Sequence, residues 1–376
     1  MTTRQDNLRI VVDGTELADL HCDLVSLEVE LDEQLTGMFR MTLALLLSAD
    51  GTWNFLDEEG FSIWRKVVIT AGLVNDTRRL ITGYITHLRP EFGVGLEQCR
   101  LVVWGMDASV LMDREDQLTT WPDKKDSDIA AEIFDKYGLA GNVTETEVVH
   151  NEKLSTIVQR ETDIQLLKRL ALRNGFECFV DGDAGYFRPP AVSSAPQPVL
   201  AVQFGNETNV NTFKLEVNAL TPASVTMVQQ DHTTADALQA TVATSKHPAL
   251  GARPAASYLP AEVPAGHIQV GQTVTTGQAE MEVLCRGLFD QGDWFVTGEG
   301  EVSGNRYGSI LMPRGTVTIK GIGETYSGVY YVTHVTHRFT PDGYKQVFRV
   351  KRNALTTTGT EDFAGGSLSA DLIGGR

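Results

Sequence analysis

Two stretches of the chain align without gaps: RKVVITAGL at residues 65–73 and RGTVTIKGI at residues 314–322. After a short turn, each is followed by a run that contains glycine and then Thr-His: TGYITHLRP at residues 82–90 and SGVYYVTHV at residues 327–335. Each copy then makes a turn containing glycine and enters another strand-like run. The repeat predicts two similar β-domains, and two copies are too few for a solenoid.

Apolar and polar residues alternate along the chain before the first copy. Leu27, Val29 and Leu31 alternate with glutamates, and a second apolar alternation begins at Phe39. A period of two is typical of a strand with one buried face. Because short strand-like runs recur at close spacing, we predict a first antiparallel β-barrel or sandwich over residues 1–115.

The middle of the chain, residues 116–200, changes to helical periodicity. Apolar residues recur at helical spacing after Asp126, and Gly138 suits a C-terminal cap. A second helix is predicted to begin at the capping-box pattern TDIQ, residues 162–165, and to end at Asn174 before a glycine.

Further features complete this insert. Leu167 and Leu170 lie on the apolar stripe of the second helix, and we predict that they are core residues that join the helix to a barrel. The dipeptide Asp-Gly at residues 181–182, between two alternating runs, predicts a β-hairpin. Residues 189–200 are rich in proline, serine and alanine and are predicted to form a linker.

The second β-domain is predicted over residues 201–355, with a long loop at 241–272 and a helix near 276–289. Residues 356–376 are rich in glycine, serine and threonine and are predicted to form a flexible tail. Its apolar residues could order on a partner; they are Phe363, Leu368, Leu372 and Ile373. The predicted fold class is therefore mainly β with an α insert.

The composition excludes several classes of protein. The 376 residues carry a formal net charge of −17, which disfavours non-specific binding to nucleic acid because phosphates require cations. No apolar run reaches the roughly 20 residues that span a bilayer, and no signal peptide is visible. We therefore expect cytoplasmic synthesis and no membrane insertion. The cysteines are far apart and are predicted to be buried free thiols; they are Cys22, Cys99, Cys178 and Cys285.

Three motifs resemble chemical sites, but the context of each favours a structural role. His334 and His337 lie on one predicted strand, where residues three apart face opposite sides, so a shared metal ion is not predicted. The glycines of residues 321–328 precede no helix and are typical of a turn rather than a phosphate loop. The acidic run at residues 57–59 lacks the spacing of a calcium loop.

Two further groups of charged residues could also suggest chemistry. Glu161 and Asp163 stand at a predicted helix N-terminus, where carboxylates stabilise the helix dipole, so a structural role is favoured over acid–base catalysis. Lys345, Arg349 and Lys351 share one face of the last strand, which is either solvated or meets an acidic neighbour. No G-x-S-x-G, H-E-x-x-H or Walker A pattern occurs. We therefore predict no catalytic, cofactor-binding or metal-binding residue.

Three segments carry a resemblance to a known family. They are VWGMDASVL at residues 103–111, QRETDIQLLKRLALRNGF at residues 159–176, and the closing run that begins GVYYVTH at residue 328 and ends at Asn353. Together they resemble phage late-control protein D and the N-terminal hub module of VgrG spike proteins. The resemblance extends over residues 5–355, and the segment 159–188 is its most specific part.

This resemblance implies two tandem tube-like antiparallel β-barrels per chain and a homotrimer. Such a protein is the structural baseplate hub of a contractile tail or injection system, and it connects a hexameric inner tube to a central spike. The expected partners are the tube protein, the spike and other baseplate proteins. The chain would be made in the bacterial cytoplasm and incorporated into a phage tail or a phage-tail-like particle. VgrG proteins continue into a needle, whereas this sequence stops soon after the second domain, so a separate spike polypeptide is expected.

Two similar domains in each of three chains would place six domains around one axis. Given the acidic charge, we predict that the ring encloses an acidic or neutral channel, through which DNA or protein cargo passes without adhering. Two other classes stay open: a tail-tip enzyme that degrades the cell wall, and a receptor- or carbohydrate-binding β-protein. The first needs a paired-carboxylate or metal site. The second needs clustered aromatic residues, whereas the tryptophans are scattered along the chain.

Overall fold

The computed structural model describes residues 8–17, 20–56, 61–73, 76–231, 234–271 and 273–364. Within these residues the chain is mainly β, as the alternating pattern predicts. The strands of the first half are β1 (Arg9–Val12), β2 (Thr15–Glu16), β3 (Leu24–Asp32), β4 (Met38–Ala44), β5 (Lys66–Leu73), β6 (Asp76–Glu91), β7 (Arg100–Asp107), β8 (Asp116–Trp121), β9 (Ala140–Val143), β10 (Ile157–Thr162), β11 (Glu177–Asp181) and β12 (Ala184–Arg188).

The second half of the chain also consists mainly of β-strands, and short helices lie between strands in both halves. The remaining strands are β13 (Gln197–Ala201), β14 (Val210–Val217), β15 (Ser224–Gln230), β16 (Ala237–Val242), β17 (Arg253–Pro254), β18 (His267–Val270), β19 (Val296–Ser303), β20 (Gly315–Lys320), β21 (Gly328–Thr340), β22 (Gly343–Arg352) and β23 (Ala354–Leu355). The helices are α1 (Leu20–Asp23), α2 (Asp126–Lys136), α3 (Asp163–Asn174), α4 (Gln278–Gly292) and α5 (Gly304–Tyr307).

One large sheet runs through both halves of the chain. Its strand order is β14-β19-β22-β21-β3-β4-β7-β6-β5-β1-β2, and β20 pairs with both β21 and β13. All pairs are antiparallel except β13 with β20. The described pairs leave β14 and β2 at the two ends and do not close a barrel. The tandem barrels therefore stay a prediction.

Buried apolar clusters stabilise this architecture, because alternate strand residues and one face of each larger helix point away from water. The first packs the inner faces of the first-half strands and includes Leu27, Val29, Phe39, Met41, Val67, Ile69, Leu101 and Val103, with Phe339 and Tyr344 from the second half. The second packs β19 to β22; the third packs the insert; and the fourth lies between α4 and the small sheet of β15, β16 and β18. The domain limits at residues 115, 200 and 355 stay a prediction.

The sequence repeat corresponds to a repeat in strand pairing. In each unit the long second strand carries a bulge at a threonine, Thr86 in β6 and Thr333 in β21. In each unit the first strand, β5 or β20, begins after a residue with positive φ, which is Trp64 (69°) before β5 and Arg314 (63°) before β20. The backbone N–H of this residue donates to a carbonyl oxygen of the second strand, at 2.7 Å for Trp64 and at 2.8 Å for Arg314. The equivalent residues are therefore Trp64 and Arg314. The gapless alignment, which matched Arg65 with Arg314, is wrong by one residue here.

The repeat extends to strands that the sequence alignment did not include. β3 pairs with β4 with a bulge between Leu24 and Ser26, and β14 pairs with β19 with the same bulge between Val210 and Thr212. Counted through these ladders, β3, β4, β6 and β7 correspond to β14, β19, β21 and β22. The chain thus contains two units with one strand order, joined where β3 pairs with β21.

The insert has the predicted helices and hairpin. Gly138 and Gly175 follow the two helices with φ of 66° and 68°, the left-handed conformation that glycine adopts without strain. The capping box is wrong, because Thr162 makes no side-chain cap. The hydroxyl of Thr162 donates instead to Asp113 Oδ1 at 2.6 Å, and Gln165 Nε2 donates to the same oxygen at 3.1 Å.

Four other local predictions need correction. The linker at 189–200 includes the start of β13, because that segment pairs with β20. The loop at 241–272 contains β17 and β18, and β18 pairs in parallel with β15. The first part of the tail lies against the second unit, since Lys320 Nζ donates to the carbonyl oxygen of Phe363 at 3.0 Å. Leu368, Leu372 and Ile373 lie outside the described residues. Cys22 is exposed, while the other three cysteines are buried and free.

Leu170 offers a test of how the insert is packed. Leu167 and Leu170 are both fully buried, but their neighbours belong to the insert's own core rather than to a barrel. We expect Leu170→Ala to lower the free energy of unfolding by about 2–5 kcal/mol, because it leaves a cavity. Leu172 on the same helix is 46% exposed, so Leu172→Ala is the matched control, expected to cost less than about 0.5 kcal/mol. Equal urea midpoints for the two variants would contradict this packing.

Candidate functional site

The joint between the two units is the first candidate surface. Residues 27–32 of β3 face residues 334–339 of β21 in an antiparallel ladder. Arg338 Nε lies 2.9 Å from Glu28 Oε1, and His334 Nδ1 lies 3.1 Å from Asp32 Oδ2. Main-chain hydrogen bonds, the Arg338–Glu28 ion pair and the His334–Asp32 contact therefore hold the two units together edge to edge.

The sheet exposes a face on which opposite charges alternate from strand to strand. Lys345, Arg349 and Lys351 lie along β22, as predicted, and carboxylates of the same chain face each of them. The exposed ion pairs are Lys345 with Glu301 at 3.1 Å and Arg349 with Glu299 at 4.0 Å. The third, Lys351 with Glu33 at 2.6 Å, is largely buried. This face is therefore electrically mixed, in contrast to the net charge of the whole chain.

A buried ionic cluster connects the insert to α4 of the second half. His150, Asp126 and Glu280 are each less than 5% exposed. His150 Nε2 lies 2.7 Å from Asp126 Oδ1, and its Nδ1 lies 3.5 Å from Glu280 Oε1. Arg173 pairs with Glu280, and Asn174 Nδ2 donates to Asp126 Oδ2 at 2.6 Å. No sequence pattern predicts this cluster, because its members are up to 154 positions apart (126 to 280) and share no motif.

The environment of the cluster favours charged side chains. Burial lowers the pKa of His150, but its hydrogen bond to Asp126 and the nearby carboxylate of Glu280 outweigh burial and raise the pKa to about 9. Burial raises the pKa of Glu280, but His150, the charge of Arg173 and the backbone N–H of Thr276 outweigh it and lower the pKa to about 2. His150 and Glu280 are therefore ionised at neutral pH, which suits a structural clamp rather than a proton donor or acceptor.

A buried arginine ties three loops of the second unit to its sheet. Arg352 is 0% exposed and is among the largest fully buried side chains of the described residues. Its guanidinium donates to carbonyl oxygens of Leu250 at 2.8 Å and of Tyr326, Ser327 and Thr356 at 3.1 Å each. The alternation of residues along β22 indicates that Arg352 is buried, because Arg352 lies at one of the alternate positions that face the core.

Two cavities lie beside these junctions. The larger, about 330 Å³, lies between the first unit, the β11–β12 hairpin and residues 312–314. Arg188 and Arg314 face it opposite Asp107 and Asp181, and the carboxylate of Asp107 accepts hydrogen bonds from the backbone. Positive and negative side chains face each other across the cavity, and backbone N–H groups already occupy the Asp107 carboxylate. The cavity therefore presents no activated nucleophile.

The smaller cavity, about 280 Å³, is lined by His247 and Asp290, and Ser245 beside Asp290 would complete the residue types of a catalytic triad. Ser245 Oγ donates to Asp290 Oδ1 at 2.6 Å, whereas His247 Nε2 lies 4.0 Å from Asp290 Oδ2. In a triad the histidine lies between the serine and the aspartate. Here the serine contacts the aspartate directly, so the histidine is not placed to activate it.

The structure places the remaining sequence motifs in structural contacts. His334 bonds Asp32 and Thr336, while His337 is fully buried with Nδ1 2.7 Å from the hydroxyl of Tyr344. Burial lowers the pKa of His337 to about 3. Residues 321–327 form the turn between β20 and β21. The acidic run at residues 57–59 lies outside the described residues.

The carboxylates at the start of α3 are also held by the protein. Asp163 accepts hydrogen bonds from Lys136 Nζ at 2.6 Å, Gln159 Nε2 at 2.7 Å and the hydroxyl of Tyr137 at 2.9 Å. Glu161 pairs with Arg169 at 2.7 Å. These contacts lock α3 to its neighbours, which is a structural role.

In the part of the chain that the structure describes, no three or more histidine, cysteine, aspartate or glutamate side chains are grouped so as to hold a metal ion. None of the described helices is long and apolar enough to cross a membrane.

A family model described as the Alg8 N-terminal domain matches residues 3–341, which is most of the chain. The chain belongs to the Alg8 N-terminal domain family. No curated protein sequence matches this family member.

Solved structures share the fold of this Alg8 N-terminal domain protein. A 43 kDa tail protein of prophage MuSo2 from Shewanella oneidensis is 15% identical with a TM-score of 0.64, and the match covers 93% of this chain and 100% of the other. A tail protein from Neisseria meningitidis MC58 is 16% identical with a TM-score of 0.66, covering 92% and 96%. The c3393 protein of E. coli, a type VI secretion system component described as similar to the T4 tail proteins gp27 and gp5, is 12% identical with a TM-score of 0.52, covering 92% and 76%.

Proposed function

We propose that this chain is the structural baseplate hub of a contractile tail or injection system. The observation that carries the proposal is the pair of units with one strand order, joined edge to edge by β3 and β21. The solved structures that share the fold support it, since two are tail proteins and one is a component of the type VI secretion system. The resemblance to late-control protein D and to the VgrG hub module points to the same role.

The two units suggest how the hub matches its partners. Three chains supply six similar units, so a homotrimer meets a hexameric inner tube on one side and a threefold central spike on the other. Each unit would complete a tube-like barrel within this ring. Other baseplate proteins would contact the outside, where the insert and the α4 layer lie.

The contacts within the chain favour this role over catalysis. The pairs that could serve as acid and base, such as His150 with Asp126, are buried in ion clusters that join one part of the fold to another. The carboxylates at the start of α3 are engaged in the same way. We therefore assign no catalytic, metal or cofactor site to the hub.

The wall of the ring would be close to neutral. The exposed sheet face carries Lys345 and Arg349 of β22, which are paired with carboxylates of β19. Paired charges offer no free cations to phosphate, so DNA or protein cargo would pass without adhering. The hub would be made in the bacterial cytoplasm and incorporated into a phage tail or a phage-tail-like particle.

Deletion of the gene in a strain that produces the particles tests the hub role. We expect the deletion to abolish complete particles, because the tube has no platform on which to assemble, and plasmid-borne protein to restore them. Electron microscopy of lysates provides the readout. Normal particles without the protein would contradict the proposal, and turnover of peptidoglycan by the pure protein would favour the tail-tip enzyme instead.

A further inference from the structure

Two arginines line the larger cavity without a carboxylate in contact with either. Arg188 comes from the β11–β12 hairpin, and Arg314 immediately precedes β20. Neither guanidinium forms an ion pair with any residue that the structure describes, and within those residues the buried Nε of each has no hydrogen-bond partner. Because a buried cationic group without a partner is costly, two such groups at one cavity favour an anion.

Aromatic rings hold the two guanidiniums near each other. Arg314 Cζ lies 3.9 Å from the centroid of the Phe179 ring, and Arg188 Cζ lies 5.5 Å from the same centroid. Arg188 Cζ also lies 5.6 Å from the centroid of Tyr186, whose ring stacks on Phe179 at 4.6 Å. Packing against an aromatic face restricts a guanidinium while its N–H groups can still donate to an acceptor. The positive charges are therefore positioned by the protein itself.

The carboxyl groups around the cavity do not neutralise these arginines. Asp181 pairs with Arg79 at 3.0 Å. Both oxygens of Asp107 accept backbone N–H groups, and burial raises the pKa of this carboxyl group. Burial also raises the pKa of Glu177, whose charge acts on Arg314. A raised pKa favours the neutral acid, so the cavity keeps an excess of positive charge.

The size of the cavity limits what it can receive. Its volume of about 330 Å³ is near the lower end of small-molecule sites, which span roughly 300–1,000 Å³. Guanidinium groups bind carboxylates and phosphates through parallel N–H donors. A small oxyanion therefore fits both the volume and the chemistry, whereas a nucleic-acid strand is too large.

We propose that this cavity binds one small free oxyanion, a phosphate or a carboxylate, between Arg188 and Arg314. The cavity is lined by the first unit, by the β11–β12 hairpin of the insert and by residues 312–314 of the second half. The bound anion thus connects three parts of the chain. It stabilises their arrangement, because a ligand that binds only the folded state shifts the equilibrium toward that state.

Calorimetric titration of the purified full chain with inorganic phosphate, in chloride buffer at neutral pH, tests the site. We expect saturable binding, and we expect Arg188→Gln to weaken it about tenfold, because a charged donor is lost. Lys214→Gln is the matched control. It also removes one positive charge, but from an exposed position on β14 that does not line the cavity, so it should bind phosphate as the unmodified chain does.

Asp181→Asn should change the affinity in the opposite direction. It leaves Arg79 without its carboxylate beside the cavity, so we expect phosphate to bind about threefold more tightly. Asn-Gly suits a hairpin turn as well as Asp-Gly does, so the hairpin should be retained. A damaged fold cannot explain tighter binding.

Hydrogen exchange locates the bound anion. Phosphate should increase the protection of β11, β12 and residues 312–314 in the unmodified chain, and it should do so much less in Arg188→Gln. Citrate, titrated in the same way, tests carboxylates as the alternative oxyanion. Unchanged protection of the hairpin at saturating phosphate would place the anion elsewhere and overturn the site.

The remaining outcomes are equally distinct. Saturable binding of phosphate or citrate that Arg188→Gln weakens and Asp181→Asn strengthens supports the site. The absence of saturable binding for both anions overturns it, and so does equal affinity in Arg188→Gln and Lys214→Gln. Neither result bears on the hub function, because the titration uses the isolated chain and the hub function is tested in particles.

Discussion

Replacing Arg352 with methionine is expected to lower the free energy of unfolding by about 3–5 kcal/mol. The side chain is fully buried, and its guanidinium donates to four backbone carbonyl oxygens at 2.8–3.1 Å. Methionine fills much of the same volume but donates nothing, so all four acceptors lose a partner, and those of Leu250 and Ser327 lose it in a buried environment. The loops that contain Leu250, Tyr326 and Thr356 should separate from the second unit first.

Arg349 on the same strand provides the control. Its side chain is 63% exposed and lies 4.0 Å from Glu299, so Arg349→Met should change stability by less than about 0.5 kcal/mol. Urea unfolding followed by circular dichroism measures both variants. If Arg352→Met unfolds at the same urea concentration as Arg349→Met, the carbonyl cage around Arg352 does not support the second unit.

Replacing Glu280 with glutamine is the second large effect, and we again expect a loss of about 3–5 kcal/mol. The substitution leaves the cations of His150 and Arg173 buried beside a single carboxylate, Asp126. Glu282 lies exposed on the same helix, so Glu282→Gln is the matched control and should be nearly neutral. Hydrogen exchange of α3 and α4 would localise the effect, and unchanged protection there would contradict the clamp.

The same cluster predicts a pH dependence with a definite sign. Because the pKa of folded His150 is raised to about 9, its contribution is complete below about pH 6.5 and is lost as pH rises toward 9. That loss amounts to about 3 kcal/mol. Because the pKa of Glu280 is lowered to about 2, its contribution is lost as pH falls from about 4.5 toward 2. A melting temperature that stays constant between pH 6.5 and 9 would contradict a charged His150 in the cluster.

Local patterns predicted the elements well where one residue decides a boundary. Helices α2 and α3 end at glycines that adopt positive φ, and the Asp-Gly pair turns the β11–β12 hairpin, because these residues need no distant partner. The capping box failed because Asp113, 49 positions away, accepts the Thr162 hydroxyl. The tertiary hydrogen bond of Thr162 thus replaced the local side-chain cap that the sequence pattern predicts.

The long-range organisation was less accessible from the sequence. The repeat was visible in the long strands, yet the correspondence of β3 with β14 was not, since their side chains differ and only the shared bulge reveals it. The parallel pairing of β13 with β20 was likewise missed, because its partner lies more than 100 positions away. The tertiary fold determines which strands pair, whereas the alternation of apolar and polar residues that predicts a strand is a local property of the sequence.

The number and position of copies in the assembled particle test the hub function most directly. A cryo-electron microscopy reconstruction of the baseplate, calculated without imposed symmetry, would show both. The hub function predicts three copies between the inner tube and the central spike, with six similar units around the axis. Six copies, or a location on the periphery of the baseplate away from the tube axis, would contradict it.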